Sequence, residues 1–146
     1  MALSASGPAD RVEQLIALTE RLIELMSRDT ADFEARRPQD AAGRADETGR
    51  LANLYRHESM RVKREPLLIK GAPADRRQRL TELTQQLDAV LRRHALALEA
   101  AKTVTEGLVK AIAEEAAAQR QSAAGYGPGA APARTTPSPL ALNRRA

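Results

Sequence analysis

From about residue 10 to residue 120, apolar residues recur at steps of three and four, which is the period of an α-helix and not of a strand. In the first run Val12, Leu15, Ile16, Leu22, Ile23, Met26 and Phe33 fall on one stripe, with Thr19 filling a polar gap. Pro8 suits an early helical position, where its missing N–H has no partner to lose, and Asp10 and Glu13 lie near the positive end of the dipole. Pro38 is expected to end this helix near Arg37. A second segment, 39–65, opens weakly, because Gly43 and Gly49 each cost about 1 kcal/mol relative to alanine in a helix interior. Its second half is stronger: Leu51, Leu54, Tyr55 and Val62 share a face that Glu58 interrupts, and Pro66 disfavours helical geometry at Glu65. The stretch PLLIKGAP, 66–73, reads as a connector that tucks Leu67, Leu68 and Ile69 under the helix ends.

The third helix is expected from Pro73 or Ala74 to about Gln121, and it reads as the backbone of the molecule. Leu80, Leu83, Leu87, Val90, His94, Leu98, Ala101, Thr105, Leu108 and Ile112 form a coiled-coil-like seam with a stutter at His94. At 1.5 Å per residue this helix is about 70 Å long, against about 40 Å for each of the other two. In an up-down-up arrangement the shorter helices cover only its first half. The overhang, about residues 102–120, keeps Val104, Leu108, Val109 and Ile112 on an apolar stripe with nothing in the chain expected to bury it. With Leu98 these are the candidate partner-binding residues, a surface that fits a helix of another protein or a second copy of this one equally well.

Composition sharpens the fold and removes chemistry. Hydrophobic residues make up 42% of the chain but aromatic ones only 2%, which favours helices packed through leucine and alanine over a β-sandwich. The expectation is therefore all-α: a three-helix antiparallel bundle with a long third helix over 1–121, followed by a disordered Gly/Pro/Ala-rich tail over 122–146. There is no cysteine, so disulfides and thiolate chemistry are excluded. The start MALSASGPAD lacks the basic and apolar regions of an export signal, and no segment has the apolar length of a membrane span, so the expected place is the cytoplasm without membrane insertion.

The net charge is +4, but Arg134, Arg144 and Arg145 lie in the tail, where no acidic residue balances them. The densest basic run elsewhere, DRRQR at 75–79, reads as the wet first turns of a helix and not as a nucleic-acid contact. His57 and His94 are the only histidines; HESMR at 57–61 lacks the second histidine of a zinc-protease helix, so His57 is read as a surface residue and His94 as a polar interruption of the seam. GYGPG at 125–129 follows a helix and precedes none, unlike a phosphate loop. Carboxylates such as Glu20 and Glu24, beside Arg21 and Arg28, read as a solvated face. Neither a catalytic residue, a metal site nor a cofactor is expected, and the protein is read as a non-enzyme.

One feature of the tail is not explained by folding: Tyr126, one of three aromatic residues, sits among glycine, proline and alanine. The order of RVEQLIALTERLIELM, LANLYRHESMRVK, a long alanine-rich helix and YGPGA resembles the FlgN-type flagellar export chaperones, and in particular their alphaproteobacterial FlbY-like relatives, over about residues 10–130. The resemblance implies an antiparallel helical chaperone at the base of the flagellum. It would hold the terminal helices of the hook-filament junction proteins and present them to the cytoplasmic domain of the type III export gate. It would assign client binding to the stripe of the third helix and gate docking to Tyr126 and Gly127, where one rigid aromatic supplies contact area at low entropic cost. The alternative is a structural or regulatory coiled-coil component of basal-body assembly that associates with itself as a homodimer. The tail runs on through Leu140, Leu142, Arg144 and Arg145, to which the resemblance gives no role.

Overall fold

The structure, a computed structural model, describes residues 2–125. Five helices follow one another there: α1 (Pro8–Glu34), α2 (Pro38–Ala42), α3 (Ala45–Arg64), α4 (Leu67–Lys70) and α5 (Ala74–Gly125). No strand occurs among the described residues, and the all-α expectation holds. The chain divides into two units, Met1–Lys102 and Thr103–Ala146.

In the first unit α1 is the central element, a role the sequence suggested for the long helix. It buries Val12, Leu15, Ile16, Leu18, Leu22, Leu25 and Met26, more than α3 and α5 together. Val12 and Ile16 pack with Ala72 and Leu83, and Leu18 and Leu22 pack with Leu87, so α1 is buried from two sides. Thr19, wholly buried, is accommodated because its hydroxyl donates to the Leu15 carbonyl at 2.7 Å.

Ion pairs show how the three long helices run. Arg76 meets Glu13, Arg79 meets Glu20 and Arg93 meets Glu34, rising together along α1 and α5, which are therefore parallel in this unit. Arg11 meets Glu58, Arg21 meets Glu47 and Arg44 meets Asp29, running oppositely, so α3 is antiparallel to α1. The up-down-up order is thus present. It also revises the reading of the surface carboxylates and of the DRRQR run, since Glu13, Glu20, Arg76 and Arg79 are clamps between helices. Such half-exposed pairs contribute little stability each, because solvent screens them, but they fix register.

Helix ends differ from expectation in instructive ways. α1 stops at Glu34, and Pro38 opens α2 instead of closing α1. The stop is a Schellman motif: Arg36 takes a left-handed φ of 61°, its N–H donates to the Phe33 carbonyl at 3.1 Å, and the Arg37 N–H donates to the Asp32 carbonyl at 2.8 Å. α3 ends at Arg64, with Glu65 extended ahead of Pro66, as the proline dictates. The connector forms the single turn α4; Ile69 packs on the core, but Leu67 is exposed, contrary to the expectation that it tucks under.

The seam on α5 is more regular than the sequence reading allowed. Leu80, Leu83, Leu87, Val90, His94 and Ala97 alternate strictly by three and four and are buried or half-buried, whereas Leu98 is 41% exposed. The stutter disappears because the seam passes through Ala97 and not through Leu98.

Gly49 lies inside α3, exposed, and a Cβ added there meets nothing within 4 Å. Gly49→Ala is therefore expected to stabilise the protein by about 0.5–1 kcal/mol, read as a rise of a few degrees in thermal midpoint by circular dichroism. An unchanged midpoint would show that the chain at residue 49 is already restricted when unfolded, and a lower one that the alanine meets strain in the folded helix.

Candidate functional site

The second unit contains the last part of α5, and there, among the described residues, apolar side chains stand exposed. Val104, Leu108, Val109 and Ile112 are 50%, 59%, 61% and 60% exposed. Their spacing of four, one and three places them on one face of the helix, continued by Ala116. A shallow hollow lined by Ala111, Ile112, Glu115, Ala116 and Gln119 extends this face, with Glu115 held by a 3.1 Å hydrogen bond from Gln119. Isolated exposed apolar residues are ordinary; four on one stripe make these residues the candidate for an interaction surface.

Of the five residues assigned to client binding, the structure places these four together. Leu98 belongs to the first unit, where it lines a hollow with Asp29, Phe33, Ala45, Gly49 and His94. Tyr126 and Gly127, assigned to gate docking, lie outside the described residues.

His94 is more than an interruption of the seam. Its Nδ1 lies 3.1 Å from the Thr30 hydroxyl, and its ring meets Phe33 edge to face at 5.7 Å between centroids. Burial pushes its pKa below the ordinary histidine value, against the opposing charge of Asp29. Because the folded pKa is depressed, the unfolded chain binds the proton more readily. Stability should then be highest above the unfolded value near 6.5 and fall as pH drops through and below it. His94→Gln should flatten this dependence between pH 7.5 and 5.5, measured as thermal midpoint against pH. An equal slope in both proteins would assign the dependence elsewhere.

Sequence reasoning missed one pair. Glu58 is 0% exposed; Arg11 donates to it at 3.0 Å, the Leu3 backbone N–H donates at 2.9 Å, and the Arg61 guanidinium stands at 3.8 Å. The Gln14 amide donates to the Ser4 carbonyl at 2.8 Å, so the segment before α1 is laid across the α1–α3 seam. The arrangement is a buried ion pair whose carboxylate accepts from both Arg11 and the Leu3 N–H. His57 is exposed, as read from the sequence, with Nδ1 3.7 Å from Glu58. Among the described residues no group of three His, Cys, Asp or Glu is placed to hold a metal ion, and no helix is long and apolar enough to cross a membrane.

No protein-family model matches the chain, and no solved structure matches it. Flagellar basal-body protein FlbY of Caulobacter vibrioides is similar to it, 53% identical over 130 residues that cover 88% of this chain and 87% of that protein. Identity of that extent spans α1 to α5 and cannot be confined to a shared helical pattern; the chain belongs to the FlbY family.

Proposed function

We propose that this chain is a cytoplasmic chaperone of flagellar protein export, which acts by binding and not by catalysis. The observation that carries the reading is the exposed stripe Val104, Leu108, Val109 and Ile112 on α5, in a chain whose relative is a flagellar basal-body protein. A stripe of that spacing accepts the apolar face of an amphipathic helix, as helix-in-groove recognition requires. The clients are the terminal helices of the hook-filament junction proteins, which would otherwise polymerise through those helices before export. Burying about 600 Å² of apolar surface in such a contact contributes on the order of 15 kcal/mol gross at about 25 cal/mol per Å². Association and ordering remove much of it, leaving micromolar to nanomolar affinity. Tyr126 and Gly127 then serve as the docking element for the cytoplasmic domain of the export gate.

Size-exclusion chromatography of the purified full chain with a junction-protein C-terminal segment separates this reading from its rival. Co-elution as a stoichiometric complex supports the chaperone. A homodimer that persists on dilution and ignores the segment would make the protein a self-associating structural component at the flagellar base.

A further inference from the structure

We infer that the α5 stripe has a second, built-in occupant: the chain's own segment around Leu140 and Leu142. The idea takes from the reading above only that the stripe is a binding surface. Four observations support this occupant over a second copy of the chain.

Reach is the first. Measured back from Gly125, Ile112 lies about 20 Å and Leu108 about 26 Å along the helix. Leu140 lies fifteen residues beyond Gly125, and a linker of that length would span about 21 Å on average, with about 47 Å as its polyproline length. The tether thus brings the two leucines to the stripe without strain.

Geometry is the second. Leu140 and Leu142 are two residues apart, the spacing that shares one side of an extended segment. Bound in extended form, they would present two side chains about 7 Å apart to one surface. Leu108 and Ile112, one turn apart, present their side chains about 6 Å apart along the axis.

Charge is the third. Residues 103–125 carry three acidic and two basic side chains, and residues 126–146 carry three arginines and no acidic residue. Arg144 and Arg145 follow directly on the two leucines, while Glu115 lies beside Ile112 in the hollow.

Concentration is the fourth. A tether of this length holds the segment at an effective concentration on the order of millimolar, far above that of a second chain in a micromolar solution. Even a millimolar intrinsic affinity, which two leucines can supply, leaves the stripe covered for about half of the time. The segment would act as a placeholder that shields the apolar face until a stronger helix displaces it.

The chain contains no cysteine, so a nitroxide attached through Asn143→Cys labels the full-length protein at one site. Amide signals of uniformly labelled protein are then recorded with the nitroxide oxidised and reduced. The expected result is the greatest broadening at residues 104–112, reduced about threefold or more when Leu140→Asp and Leu142→Asp are added, changes that leave α1 to α5 untouched. Broadening that instead declines steadily from Gly125 toward residue 112 would show an unattached tail and overturn the proposal. So would broadening that appears equally when the nitroxide and the observed amides are on separate molecules, since the occupant is then a second copy. The experiment needs no client. Junction proteins that fail to bind would remove the chaperone reading alone, and absent broadening beside intact client binding would remove only the placeholder.

Discussion

Glu58→Leu is expected to destabilise the first unit by about 3–5 kcal/mol, the cost of leaving one member of a buried ion pair without its partner. The Glu58 side chain is fully buried, and that of Arg11 is only 8% exposed, so the guanidinium has no ready path to water. The variant also removes the acceptor for the Leu3 N–H, and with it one of the bonds that hold the segment before α1 across the α1–α3 seam. With small domains near 5–15 kcal/mol in total, the loss should lower the thermal midpoint by on the order of 15 °C or more. Replacing both partners, Arg11→Met with Glu58→Leu, should recover most of the loss, because a well-packed apolar pair no longer carries an uncompensated charge. A single variant within about 3 °C of the parent would mean that Arg11 escapes to solvent and that the pair contributes register without stability.

Leu108→Asp is expected to weaken client binding by more than about a hundredfold while leaving helix content unchanged. The residue is 59% exposed, so little apolar burial is lost from the fold when it is replaced. In a complex its burial contributes about 1.5–3 kcal/mol, and an aspartate at the same place must be desolvated without a partner, which costs several kcal/mol more. Together these exceed the 2.7 kcal/mol that corresponds to a hundredfold change. Normal client affinity in this variant, with unchanged circular dichroism, would place the binding surface elsewhere in the molecule.

Much of the fold was legible because period and proline carry physical constraints of their own. The spacing of Val12, Leu15, Ile16, Leu22 and Met26 requires a helix with one buried stripe, and Pro8 and Pro66 mark the ends of α1 and α3 by what their rings forbid. Three features escaped for reasons that can be named. The stop of α1 is a Schellman motif that puts an arginine, not a glycine, in the left-handed position, so nothing in the residue types announces it. The α5 seam passes through Ala97, which a search for large apolar residues passes over in favour of its neighbour Leu98.

The buried pair escaped because each charge was read on its own helix. Arg11 precedes Leu15, Leu18 and Leu22 at steps of four, three and four, and Glu58 sits between Tyr55 and Val62 on the face of α3. Two opposite charges in apolar slots of helices that run antiparallel form the signal, and it becomes visible only once the helices are paired. The candidate site was legible for the opposite reason: Val104, Leu108, Val109 and Ile112 have the pattern of a core helix yet stand exposed among the described residues. What covers them is not encoded in the periodicity of α5 itself.

The chaperone account stands most directly on one measurement, a calorimetric titration of the full chain with the C-terminal segments of the hook-filament junction proteins from the same genome. The account predicts saturable binding near one to one, lost in Leu108→Asp. No heat and no co-elution, together with a homodimer that Leu108→Asp dissociates, would contradict it and make the α5 stripe an interface between two copies of this chain.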